Sequence, residues 1–199
     1  MRWFRSLSVL LVAASMMSAG CGPKKDAESP KGETAKAAPK TKKAPPSEKK
    51  NPVPTDWEPI VHEAKQFGFM LPAGSTSEES NDGGIEMFRA DLPDPYTVEV
   101  WVVTYRDKTL TKDDLWVDAE AVIKNNLKGT GVQMGPVVDL DGAFAVRDVS
   151  WTENNPIKGT VLIGTDINDN YIMVASCLEK DYAKNQETID VIWQNFYLF

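Results

Sequence analysis

Few side chains in this 199-residue chain can do chemistry. There is one histidine, His62, and there are two cysteines, Cys21 and Cys177. General acid–base work, serine-type triads and histidine-rich metal sites all lean on imidazole. His62 lies in EPIVHEAKQFG, just before the first expected strand, and reads as a partly exposed surface side chain that Glu63 could tune. The glycines build no phosphate cradle. GTGVQMG (Gly129 to Gly135) lacks both the dinucleotide spacing and the Lys-Ser/Thr ending of a P-loop, and G-x-S-x-G does not occur. No residue is assigned a catalytic, cofactor-binding or metal-binding role.

The acids offer little more. DINDN (Asp166 to Asn170) begins like a calcium loop, with oxygen ligands at alternate positions. Tyr171 then stands where that loop needs glycine, and Cys177 where it needs its bidentate glutamate, so a hairpin tip explains the residues better. Asp139 and Asp141 are read in the same way, around Gly142. Glu78 to Gly84 reads as part of an acidic loop with at most unspecific cation binding. A carboxylate-only hydrolase stays conceivable, but sequence alone selects no pair of acids for it.

Cys21 has a different setting. The chain starts MRWFRS, with Arg2 and Arg5 as its charges, and continues with the apolar run LSVLLVAASMM. A basic start, a short apolar run and small residues form a secretory-signal layout. As a helix, a run of about 11 residues spans about 17 Å. A bilayer core is about 30 Å thick, so the run is a poor permanent span. Ser18-Ala19-Gly20-Cys21 resembles the lipobox of bacterial lipoproteins, departing from it at Ser18, where leucine is usual. The resemblance implies cleavage after Gly20, a diacylglycerol thioether on Cys21 and an acyl chain on its freed amine. Two or more chains turn a marginal anchor into a stable one. Gly22, in place of aspartate, points by the same resemblance to the outer membrane. The alternative is an ordinary secretory signal, which would leave an exposed free thiol.

Residues 22–55 contain seven prolines, nine lysines, four acids and almost nothing apolar. Such a segment cannot bury enough surface to offset its ordering entropy, and is expected to be disordered. As a coil its 34 residues would reach about 30 Å, and as a polyproline-like rod about 105 Å. It serves as a spacer, or its lysines lie on an anionic surface. From Asp56 onward there are 11 basic and 25 acidic residues, a net charge of −14. That balance argues against nucleic acid as a partner, because phosphate contacts need a positive surface. The expected organisation is a signal peptide over 1–20, a lipidated stalk over 21–55 and an acidic domain over 56–199.

The domain reads as α+β. Strands are expected over Phe67–Leu71, Ile85–Leu92 and Tyr96–Tyr105, with a loop over Ser75–Gly84. YTVEVWVVTY is apolar apart from Glu99 and suits a central strand covered on both faces. A helix follows, capped by Thr111 with Asp114 three residues on. Its stripe is Leu115, Ala119, Val122, Ile123 and Asn126/Leu127, and Gly129 is the expected left-handed stop. Further strands are expected over Val132–Leu140, Ala143–Trp151, Ile157–Ile167 and Tyr171–Leu178, the first pair joined through Asp141-Gly142. By alternation Cys177 shares the core face of Met173 and Ala175. A final helix runs from about Tyr182 to Phe196, with Ile189, Ile192, Trp193 and Phe196 inward. The sum is a mostly antiparallel sheet of six to seven strands with two main helices.

FGFMLP at the front, a mid-chain helix, two hairpins with DG and DN tips and a terminal NFYLF resemble the PsbP-like superfamily. That superfamily includes photosystem extrinsic subunits, a Ran-binding transport factor and DcrB-type envelope lipoproteins. The resemblance covers about residues 57–199 and implies an α/β/α sandwich and a non-catalytic binding or assembly role. It transfers no site residue. Two readings of function follow: a membrane-anchored module that binds another envelope protein, or a domain that binds a small ligand or cation, or weakly hydrolyses, in a carboxylate-lined cleft.

Overall fold

The computed structural model describes residues 50–63, 66–82, 85–106, 108–140, 142–166 and 169–199. The expected signal peptide, Cys21, most of the spacer and Asp141 lie outside the described residues. In chain order the elements are β1 (Trp57–His62), β2 (Phe67–Pro72), β3 (Thr76–Asp82), β4 (Ile85–Asp91), β5 (Glu99–Tyr105), α1 (Lys112–Asn125), β6 (Thr130–Met134), β7 (Val138–Asp139), β8 (Phe144–Thr152), β9 (Pro156–Asp166), β10 (Asp169–Leu178), α2 (Glu179–Gln194) and β11 (Tyr197–Leu198).

An eight-stranded antiparallel sheet runs β3-β4-β5-β10-β9-β8-β6, with β7 also paired to β8. A second sheet has the order β1-β2-β11. β5 lies inside the large sheet, as its composition demands. Val100 and Val102 join the core on one face, and Val103 and Tyr105 the core on the other. The first core also receives β2, β11 and α2, and the second is closed by α1. This is the expected α+β architecture, helices on both faces of an antiparallel sheet.

α1 starts where expected. The Asp114 N–H donates to Thr111 Oγ1 at 3.1 Å, and the Thr111 N–H donates to Asp114 Oδ2 at 2.9 Å. This is a capping box with aspartate in the reciprocal position. The Thr111 hydroxyl, donating to Asp114 Oδ2 at 2.7 Å, and then the Thr111 N–H hold the Asp114 carboxyl below its ordinary pKa. The predicted stripe, Leu115, Ala119, Val122, Ile123 and Leu127, is buried, and Trp116 with it. The helix stop differs from expectation. Lys128, not Gly129, takes the left-handed conformation, with φ 55°, and the Gly129 N–H donates to Ile123 O at 2.8 Å. Gly129 is needed for space: a Cβ there would lie 2.7 Å from both Ile123 Cγ2 and Trp151 Cδ1.

The loop expected over Ser75–Gly84 is corrected: Thr76–Asp82 is a strand. Residues 76–81 are all exposed, so no apolar alternation marks them. Backbone pairing with β4, Glu78 opposite Arg89 and Glu79 opposite Phe88, makes the strand. The strand expected over Val132–Leu140 is likewise divided into β6 and β7, both paired to β8. Pro136, which has no N–H to give a ladder, lies in the gap between them. β1 and β11 had no counterpart among the expected elements.

FGFML and NFYLF come together. Gly68 opposes Tyr197 and Phe67 opposes Leu198. A Cβ on Gly68 would fall 2.5 Å from the Tyr197 ring. Phe196, just beyond α2, is buried among Phe67, Phe69, Phe144 and Tyr171, with ring centroids 5.8 to 6.4 Å away. At the other end, the Asn51 N–H donates to Gln194 Oε1 at 2.7 Å and Val53 packs on the same core.

Candidate functional site

Strand pairing and the end of α1 bring together residues distant in sequence. β4 places Arg89 opposite Trp101 on β5, and Asp91 opposite Glu99. β8 and β9 place Trp151 opposite Ile157. Asn126 and Leu127, at the C-terminal end of α1, complete the wall of a cavity of about 260 Å³, with Glu153 on its exposed side. It occupies the sheet face that α1 covers, past the helix's last turn.

The electrostatics of this cavity centre on Arg89. Its guanidinium pairs with Glu99 at 2.6 Å, Asp91 at 3.1 Å and Glu78 at 3.2 Å, and stacks 5.2 Å from the Trp101 ring centroid. Burial works against its charge, but Glu99, Asp91 and Glu78 together outweigh burial and raise its pKa. Despite these partners Arg89 Nε is buried with no acceptor among the described residues, and so are Trp101 Nε1 and Trp151 Nε1. Buried donors without acceptors are uncommon, and each costs about 1–3 kcal/mol. Three such donors lie on residues lining the same cavity.

A second concavity, an open slot of about 600 Å³, lies between β1 and β3, the edge strands of their two sheets. His62 sits here. It is partly exposed, as expected, its side chain at 13%, but it ends β1 instead of preceding the first strand. It packs 5.3 Å from the Phe67 ring and edge-on to Phe88 at 6.2 Å. Its carboxylate neighbour is Glu79 rather than Glu63, with Nε2 2.6 Å from Glu79 Oε1. In a catalytic triad the nucleophile meets one ring nitrogen and the carboxylate orients the other. Here the carboxylate takes Nε2, and the pair braces β1 to β3. Val61 and Glu63 are exposed along the slot.

The remaining candidates fall elsewhere. Cys177 is 5% exposed in the same core cluster as Met173 and Ala175, as alternation predicts. Burial pushes its thiol up to about 11, with Asp181 adding to the effect. Asp166 and Asp169 oppose each other at the β9–β10 hairpin end. Asp139 accepts from Lys112 Nζ at 2.7 Å. Among the described residues no group of three or more histidines, cysteines or acids could hold a metal ion.

Sequence reading missed the Arg89 cavity. Its one local signal was Glu99, the single charge in an otherwise apolar strand. No spacing connects positions 89, 101, 126 and 151; only the strand order and the end of α1 do.

No protein-family profile matches the chain, and no curated protein does. Among solved structures the chain is similar to cyanobacterial PsbP (CyanoP) from Synechocystis sp. PCC 6803, with a TM-score of 0.58 and 11% identity over 74% of this chain and 95% of that one. The Ran-binding protein Mog1p of Saccharomyces cerevisiae matches with a TM-score of 0.48 and 9% identity, over 71% of this chain and 95% of its own. A protein of unknown function, PA94 from Pseudomonas aeruginosa, matches at 0.38 and 13% identity, over 66% and 90%. The CyanoP likeness gives the fold: an α+β domain arranged like that of CyanoP. At such identities the likeness defines the fold and nothing finer.

Proposed function

We propose that the chain is a bacterial envelope lipoprotein whose acidic domain is a non-catalytic binding or assembly module. The observation that carries this reading is Ser18-Ala19-Gly20-Cys21 directly after a short apolar run. Cleavage after Gly20 and acylation of Cys21 would hold the domain beside a membrane, with the outer membrane favoured by Gly22. The lysine-rich spacer then separates the anchor from a domain of net charge −14. No helix among the described residues is long and apolar enough to cross a membrane.

The slot between β1 and β3 supports the binding half of the reading. Two edge strands flank it, and an edge strand presents unpaired N–H and C=O groups to an added strand. Glu58 on β1 and Glu63 just beyond it are exposed and make the region acidic. It therefore suits a lysine- or arginine-rich extended segment of another envelope protein, whose approach opposite charge would speed.

Intact-mass measurement of protein extracted from its native membrane tests the anchor. The expected species begins at Cys21 and carries the diacylglycerol and acyl masses. A chain starting elsewhere, or an unmodified Cys21, refutes the lipoprotein. Pull-down with the full chain across a salt series tests the module. A partner retained at low salt, released at high salt and lost with Glu63→Lys is expected; no retained partner at low salt counts against the module.

A further inference from the structure

We propose that Lys40–Ala44 of this same chain (KTKKA) adds as a strand to the outer edge of β1 and fills the slot there until a partner displaces it. This rests on the reading of the slot as a strand acceptor and assigns its resting occupant. The lining of the slot shows which strand accepts. Pro59 to Glu63 line it consecutively, so β1 shows it an edge. Ser77 and Glu79 line it alternately, with Phe88 opposite Glu79, so β3 and β4 show it a face. An added segment therefore extends the small sheet and lies across the large one. The phase of the β1–β2 ladder says which groups the edge offers. The Ala73 N–H donates to Asp56 O at 3.0 Å, in the register that sets Trp57 opposite Pro72. Backbone groups alternate in direction along a strand, so Glu58, Ile60 and His62 face β2, while Pro59 and Val61 face the slot. Pro59 thus turns its missing N–H outward, where an edge tolerates proline. The edge offers the Pro59 carbonyl and both backbone groups of Val61, a residue 48% exposed. Among the described residues no strand pairs with this edge.

Composition, charge and reach select KTKKA. Prolines cut residues 22–55 into short stretches, and Lys40–Ala44, between Pro39 and Pro45, carries three lysines and no acid. Run antiparallel with Lys42 opposite Val61, the stretch meets both Val61 groups, and its Ala44 N–H meets the Pro59 carbonyl. Lys40 then stands across from Glu63, and Lys43 lies diagonal to Glu58, both of them exposed acids. The connection is long enough. The Asn51 N–H is held by Gln194 Oε1, just ahead of β11. From β11 across β2 and β1 to an added strand is three strand spacings, about 14 Å. The seven steps from Ala44 to Asn51 reach up to about 25 Å. Tethering in one chain gives such a segment a high effective concentration at the edge. Covering the edge also guards it against pairing with other chains.

The test follows hydrogen exchange of the Val61 amide by NMR, on the full chain in detergent. The Ile60 amide, which faces β2, is the internal control. Two variants are compared with the parent. Lys42→Pro removes the N–H given to the Val61 carbonyl, and Lys40→Glu/Lys43→Glu reverses the charge. Both lie ahead of the first element and leave the core residues untouched. The expected result is Val61 exchange at least about tenfold slower in the parent than in either variant, with Ile60 unchanged. Equal Val61 exchange in the parent and Lys42→Pro overturns the proposal. So does protection that falls on about tenfold dilution, which assigns the edge to the same segment of a second copy. A synthetic peptide of residues 39–45, added to the parent, separates this failure from failure of the slot reading. Where Val61 is unprotected without the peptide and slowed with it, the edge accepts a strand and only the same-chain assignment falls. Where Val61 never slows, both fall.

Discussion

Replacing Gly129 by alanine tests whether the end of α1 and the wall of the Arg89 cavity are built as described. The new Cβ would stand 2.7 Å from Ile123 Cγ2, 2.7 Å from Trp151 Cδ1 and 3.0 Å from Ile123 O. None of these atoms can yield easily. Ile123 and Trp151 are buried, and the Ile123 carbonyl accepts the Gly129 N–H at 2.8 Å. Thr130, the next residue, is fixed by pairing with Thr152, whose carbonyl also accepts from Thr130 Oγ1 at 3.0 Å. Overpacking a closed site costs about 1–3 kcal/mol. Alanine offsets about 0.5 kcal/mol of this by reducing the freedom of the unfolded chain. The net loss is about 1.5 kcal/mol, or about 3–6 °C in Tm for a domain of this size. The control is Gly142→Ala. Its Cβ would meet nothing within 4 Å and its φ is not left-handed, so the same chemical change should stabilise by about 0.4–1 kcal/mol. Urea unfolding of both variants, followed by far-UV circular dichroism, gives the two numbers. A Gly129→Ala protein as stable as the parent would refute the packing argument at this corner.

Phe196→Ala removes the ring at the centre of the Phe67, Phe69, Phe144 and Tyr171 cluster and should cost about 3–5 kcal/mol by urea unfolding. A cost below 1 kcal/mol would mean the cluster is not closed. Cys177, raised to about 11 by burial, stays protonated in the fold above the pH at which it ionises in the unfolded chain. The unfolded state then binds fewer protons, so the thiol's stabilising contribution is intact below about pH 9 and is lost as pH climbs towards 11. Cys177→Ala should flatten that alkaline slope, and iodoacetamide should label the parent only when it unfolds; rapid labelling of the folded protein would contradict the burial. Burial also raises the Asp190 carboxyl, against the lowering effect of its bond from Trp193. Its contribution is present below the ordinary carboxylate pKa and is lost as pH rises through the raised one. Asp190→Asn, which keeps an acceptor for Trp193, should therefore be more stable than the parent at pH 7 and equal to it near pH 3, and a lower urea midpoint at pH 7 would reverse that sign.

What could be read from the residues divides along physical lines. Where an element is buried, a one-sided period or, for a strand covered on both faces, a continuous apolar run is written into the sequence. That is why β5, β8, β9, β10 and α1 fall close to their expected bounds, and why Cys177 could be placed by alternation alone. β3 escaped because TSEESN exposes both faces, so the strand exists only through its ladder to β4. β11 escaped because a two-residue strand has no period to detect, although the meeting of NFYLF with FGFML gives both motifs their reason. At Gly129 the right residue had been chosen for the wrong cause. The left-handed turn falls to Lys128, and the glycine answers a steric demand from Trp151, a residue 22 positions further on.

That contact also explains why the cavity stayed hidden. Arg89 and Trp101 meet across one pair of strands, Trp151 and Ile157 across another, and Leu127 closes over them from the end of a helix. Each residue has an adequate local reason to be where it is: a strand position, a helix end, a core tryptophan. Only the antiparallel order of the sheet turns these separate reasons into one concavity. The unpaired N–H groups of Arg89, Trp101 and Trp151 have no local explanation at all. They are shut off from water as well as from acceptors, so they report how tightly strands and helix end close around the cavity, at a cost that the surrounding packing must offset.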